Sequence, residues 1–211
     1  MNTECETVHN LSWVLERHEF PFDESKIPLN GIYLLFQKGE EGHNGDRIVR
    51  IGTHTGDKQL RSRLKQHFIN PNKDRSIFRK NIGRALLNQC NDHFLEYWEL
   101  DLTTRKAKEK YLSLIDLDYQ KTIEDKVSEF IQTNFSFCVF EVNDKEQRLQ
   151  IESGLISTIS WCDECKSSKT WLGNSSPKRK IVESGLWLVN ELYKTPLISS
   201  EIDHLSRLIK G

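Results

Sequence analysis

No stretch of this sequence is apolar over the length of a membrane span, and the opening MNTECETVHNLSWVLERHEF has no basic segment followed by an apolar run. Those two absences predict a cytoplasmic protein with no membrane partner. Cysteine is scarce and odd in number, at 5, and Cys5, Cys90 and Cys138 stand alone, which excludes a secreted disulfide framework. A strong overall charge is missing too: the net value of −1 gives no general attraction to polyanions. There is no internal repeat, no low-complexity segment, and no cluster of carboxylates that would hold a pair of metal ions.

What is present suits a folded domain. The 36% hydrophobic and 9% aromatic content can fill a core, and 211 residues suit one core with a sizeable insertion better than two independent ones. The charge is unevenly distributed. Lys58, Arg61, Arg63, Lys65, Lys73, Arg75, Arg79, Lys80 and Arg84 face only Asp74 as a local acid, so this segment is either a phosphate-binding surface or a solvated helical face.

Periodicity predicts an amphipathic helix around Leu11 to His18, then a loop through Pro21, Pro28 and Gly31. Gly31 to Phe36 and Arg47 to Gly52 are β-prone runs joined by a polar, glycine-containing loop, which predicts an antiparallel hairpin. Leu60, Leu64 and Phe68 form the stripe of one helix, and Ser76 to Leu87 reads as a second, basic one. FLEYWELDL reads as a strand, Thr104 to Thr133 as one or two surface helices, and Phe135 to Val142 as a further strand. Asp144 precedes a helix running to about Trp161, and a loop with short helices follows.

Several side chains are out of place. Glu152 falls on the apolar stripe of the helix after Asp144, which calls for a Lys or Arg partner, a watered helix edge, or a divalent cation. Arg63 and His67 project from one helix face, where an Arg fork suits a phosphate and a neutral His can accept a proton. Tyr33 points away from the face of Ile32 and Leu34, as a half-buried structural tyrosine also would. Cys162 and Cys165 form a CxxC that invites a zinc or redox reading, although no second ligand pair is evident nearby in sequence.

Taken in order, Gly31-Ile32-Tyr33, Arg50-Ile51-Gly52, Arg63, His67, Glu152 and Asn174 resemble the GIY-YIG nuclease family, in particular its restriction and homing-endonuclease members. The resemblance implies an α+β fold: a small three-stranded antiparallel sheet flanked by helices, with a largely helical insertion and a C-terminal extension. It further implies one domain over 1–211, with its core near 30–87 and 135–177 and an insertion near 94–133.

Carried over residue by residue, it makes Tyr33, Arg63 and His67 catalytic, Glu152 the ligand of Mg²⁺ or Mn²⁺, and Asn174 an asparagine lining the site. Arg50 departs from the pattern by replacing the second motif tyrosine. Tyr33, His67 and His54 are then the candidates for the base, with Arg50 contacting phosphate. The implied reaction is hydrolysis of a DNA phosphodiester by water with a single metal ion. Arg61, Arg75, Arg79, Lys80 and Arg84 would grip the backbone, and the region from Phe94 to Phe130 would read bases. A structure-selective repair nuclease and a non-catalytic DNA-binding protein on the same fold are the alternatives; RNA as substrate and a homodimer are left open.

Overall fold

A strand buried on both faces sets the layout. In the computed structural model, which describes residues 2–210, the first seven residues of β2 (Gly31–Gly42) are all buried. Such a strand is covered on both faces of its sheet. β2 pairs antiparallel with β3 (Gly45–Gly52) on one side and β4 (Phe135–Glu141) on the other. Outside β4 lies a two-residue strand, β1 (His18–Glu19), giving the order β1-β4-β2-β3.

The α+β class is therefore as expected, but the sheet has four strands rather than three. The extra strand comes from the segment read as helical. The first helix, α1 (Asn2–Ser12), ends earlier than its apolar spacing suggested, and His18 and Glu19 pair with Phe137 and Ser136 instead.

Alternation along β2 sends Tyr33 and Leu35 to one face and Ile32, Leu34 and Phe36 to the other, and a separate apolar cluster covers each. On the Tyr33 face pack α2 (Leu60–Phe68), α3 (Ile77–Gln89) and α6 (Leu117–Asn134). Two short helices, α4 (Leu95–Trp98) and α5 (Arg105–Tyr111), lie between the last two. On the opposite face pack α1, α7 (Lys145–Ser160) and α9 (Ser199–Lys210), while α8 (Arg179–Ser184) precedes the last of these.

The strand expected over FLEYWELDL is α4 and its flanking turns. Trp98 explains the difference. Its ring is fully buried against the bare backbone of Gly83, and its Nε1 donates to the Lys80 carbonyl at 3.0 Å, so the segment folds over α3 rather than extending into a ladder.

Two details of the hairpin matter for the site. Between Leu35↔Arg50 and Phe36↔Ile48 the register skips Val49, a bulge that turns Arg50 to the Tyr33 face. Gly52 lies opposite Tyr33, where an added Cβ would overlap the tyrosine hydroxyl, and a Cβ at Gly31 would overlap the Phe140 carbonyl. Both motif glycines are thus imposed by close approach.

Candidate active site

β3 is an edge strand, and a cleft runs along its outer side between α2 and α7. Two adjoining cavities of about 370 and 490 Å³ make up this cleft, and Arg63, Leu149 and Glu152 line both. The helix stripe inferred for Glu152 is real in one respect: Leu149 stands beside it. The other members of that stripe, Leu155, Ile156 and Ile159, are buried in the core, whereas Leu149 is exposed and Glu152 sits with it at the edge that borders the cleft.

Glu152 Oε1 accepts the backbone N–H of Thr53 at 3.0 Å, and Thr53 Oγ1 donates to the Gly31 carbonyl at 2.7 Å. The residue after the second motif glycine therefore ties the carboxylate to the first motif glycine. Burial pushes the Glu152 carboxyl above its ordinary range, against the pull of Arg50 and Arg63. Among the described residues no cation forms an ion pair with it at contact distance. A half-buried carboxylate with no ion-pair partner among the described residues fits a hard divalent cation, which accepts a single protein ligand and completes its shell with water and phosphate.

On α2, Arg63 spends Nη1 on Gln66 Oε1 and on the Arg75 carbonyl, both at 3.2 Å. A guanidinium has more N–H donors than these bonds use, so a phosphate oxygen in the cleft can still be held.

Tyr33 and His67 meet: the phenol oxygen lies 2.8 Å from His67 Nε2, and His67 Nδ1 lies 2.7 Å from Ser76 Oγ. Both rings are 0% exposed. Burial drives the His67 pKa well down, with Arg63, Arg50 and Arg79 adding to the effect, so the imidazole is neutral at pH 7. Its surroundings disfavour taking up a proton, and its clearest service is to hold the Tyr33 hydroxyl in place.

Arg50 completes this group. Its Nε donates to the Tyr33 oxygen at 3.4 Å and its Nη1 donates to the Trp187 carbonyl. It also lines the larger cavity, so it borders the cleft while anchored behind it.

His54 lines the smaller cavity but is occupied. Its Nδ1 donates to the Gly56 carbonyl at 2.7 Å, its Nε2 accepts from the Gly31 N–H at 3.3 Å, and burial lowers its pKa. Its lone pair serves the hairpin, which leaves Tyr33 as the better candidate for proton handling.

The structure does not bring Asn174 to the cleft. Its amide donates to the Ser168 and Lys169 carbonyls at 2.9 and 3.2 Å and closes its own exposed loop. Two asparagines line the larger cavity with Glu152, Asn81 on α3 and Asn190; the one beyond the glutamate in sequence is Asn190, followed by Glu191 at a left-handed φ of 63°. Ser153 Oγ and Lys194 Nζ hold the Glu191 carboxylate, the former at 2.5 Å, in a segment docked on the sheet edge by the Trp187 N–H to Val49 carbonyl bond at 2.8 Å. Nothing but an Asn beyond the glutamate signalled Asn190 in sequence, and the order alone could not choose between it and Asn174.

The expected basic grip is mostly turned inward. Arg79 is 0% exposed and pairs with Glu124 at 2.7 Å. Lys80 faces Asp74 and donates to the Glu99 carbonyl at 2.9 Å, while Arg84 forks onto Glu99 at 2.5 and 2.6 Å. These three brace α3 against α6 and the segment between. Arg61 pins the preceding loop through the Ile27 carbonyl at 2.7 Å, and of the predicted set Arg75 alone is exposed. A helix shows its basic residues to sequence reasoning without showing which carboxylates will meet them.

Arg63 and Glu152 thus line one cleft beside the glycine-tyrosine hairpin of an α+β domain. A family model described as GIY-YIG domain matches residues 16–211, and the chain belongs to the GIY-YIG family. No curated protein and no solved structure matches it.

Proposed function

We propose that this chain is a metal-dependent endonuclease that hydrolyses DNA phosphodiester bonds. The observation that carries the reading is the Glu152 carboxylate, half-buried and without an ion-pair partner among the described residues, in the same cavities as Arg63. Glu152 would hold Mg²⁺ or Mn²⁺, and the bound ion would neutralise charge at the scissile phosphate and leaving oxygen.

Arg63 holds a nonbridging oxygen and stabilises charge that grows in the transition state. Tyr33 relays the proton of the attacking water, with His67 and Arg50 fixing its hydroxyl on either side. Asn190 borders the reacting phosphate from the third wall. Arg75, exposed next to Arg63's anchor, is the remaining backbone contact of the basic segment.

A second reading, a DNA-binding protein on this fold without catalysis, draws on the complete burial of Tyr33. One experiment separates the two. Plasmid and linear DNA are incubated with the protein plus Mg²⁺ or chelator, alongside Glu152→Ala and Arg63→Ala. Cleavage that requires metal and disappears in both variants supports the nuclease; binding without cleavage across substrates and metals supports the second reading.

A further inference from the structure

Just beyond the C-terminal end of α7, ten residues after Glu152, the CxxC acquires partners that sequence order had hidden. Cys5 and His9, one turn apart on α1, and His43 in the β2–β3 turn converge on Cys165, with the ligand atoms of these four all within 4.8 Å of one another. Cys162 joins through its sulfur, 3.3 Å from His43 Nε2.

We infer that Cys5, His43, Cys162 and Cys165 form a structural zinc site. A tetrahedral ion with Zn–S near 2.3 Å and Zn–N near 2.0–2.1 Å requires ligand separations of about 3.8 Å between sulfurs and about 3.6 Å from sulfur to nitrogen. Cys5 and Cys165 sulfurs lie 3.6 Å apart, and Cys162 lies 3.3 Å from the His43 nitrogen. The sulfur separation is far beyond the roughly 2.05 Å of a disulfide.

The two histidines are not equivalent. His9 is committed on both nitrogens: Nδ1 donates to the Cys5 carbonyl at 2.9 Å, and Nε2 accepts the Ile48 N–H at 3.2 Å. It braces the cluster from behind. His43 presents Nε2 to the sulfurs while Nδ1 lies 3.5 Å from the Glu164 carboxylate, the outer partner that fixes the tautomer of a metal-bound imidazole.

All four ligands come from the protein, and the three cysteines are at most 3% exposed. A closed site of this kind supports folding rather than catalysis. It would clamp the helix carrying Glu152 to α1 and to the hairpin.

The test is the metal content of the purified full chain, prepared without added metal and again after one equivalent of zinc. About one zinc per chain is expected, retained in Glu152→Ala and in Cys90→Ser, whose cysteine is exposed and remote. Zinc content should fall at least tenfold in Cys162→Ser. Cobalt substitution in the wild-type chain should give the intense sulfur-to-metal absorption of a thiolate-rich tetrahedral site, a readout independent of any variant's folding. A folded wild-type chain that takes up no zinc, cobalt bound without thiolate absorption, or a folded Cys162→Ser that keeps its full zinc would overturn the assignment.

Discussion

Tyr33→Phe isolates one oxygen atom. The ring and its packing on His67 at a 5.4 Å centroid distance remain, so no cavity larger than a hydroxyl opens. What is lost is the 2.8 Å contact to His67 Nε2 and the 3.4 Å contact from Arg50 Nε. The second is at the limit of hydrogen-bond geometry and contributes little. The first leaves a buried imidazole nitrogen with no water to replace its partner, a cost of about 1–3 kcal/mol. For a chain of this size each kcal/mol lowers Tm by about 2–4 °C, so thermal unfolding should fall by roughly 2–12 °C. If Tyr33 relays the proton of the attacking water, cleavage at 25 °C, where the variant stays folded, should drop by about 10²–10⁴-fold with DNA affinity unchanged. The assay pairs circular-dichroism melting with single-turnover cleavage. A folded variant cutting within a factor of two of wild type would remove Tyr33 from the reaction and return proton handling to another group.

The other expectations follow from burial and charge. Arg79→Ala should cost about 3–5 kcal/mol of stability by leaving Glu124 buried without its partner, while the salt dependence of DNA binding stays unchanged; Arg75→Ala should do the reverse, lowering the salt slope by about 1. Because burial raises the Glu152 carboxyl in the folded state, its contribution to metal-free stability is present at low pH and lost as pH rises through the folded value. Glu152→Gln should therefore raise Tm of the chelated protein at neutral pH, although it abolishes metal-dependent cleavage, and wild-type cleavage should fall on the acid side at a pH above the ordinary carboxylate range. Asn190→Ala should reduce cleavage by at least tenfold and Asn174→Ala should leave it near wild type, a contrast read in one kinetic experiment; equal effects would undo the placement of Asn190 at the reacting phosphate.

Local pattern was enough to find the hairpin, the helix bearing Arg63 and His67, and the helix bearing Glu152, because strand alternation and helical spacing are properties of neighbours along the chain. The motif glycines were legible for the same reason: each marks a place where backbone and side chain come too close for a Cβ.

Tertiary structure alone decided which of these residues share a space. Whether Arg79 grips DNA or Glu124 depends on α6 arriving 45 residues later, and charge by itself cannot tell a buried pair from a solvated face. Asn190 reaches the cleft, where Asn174 does not, because residues 186–191 dock on the edge of β3. The CxxC met Cys5 and His43 only because the sheet brings the chain's first helix and its hairpin turn to the end of α7, across separations of 160 and 119 residues. Sequence states the chemistry each side chain can perform; the partners that decide whether it performs it are fixed by contacts that no spacing encodes.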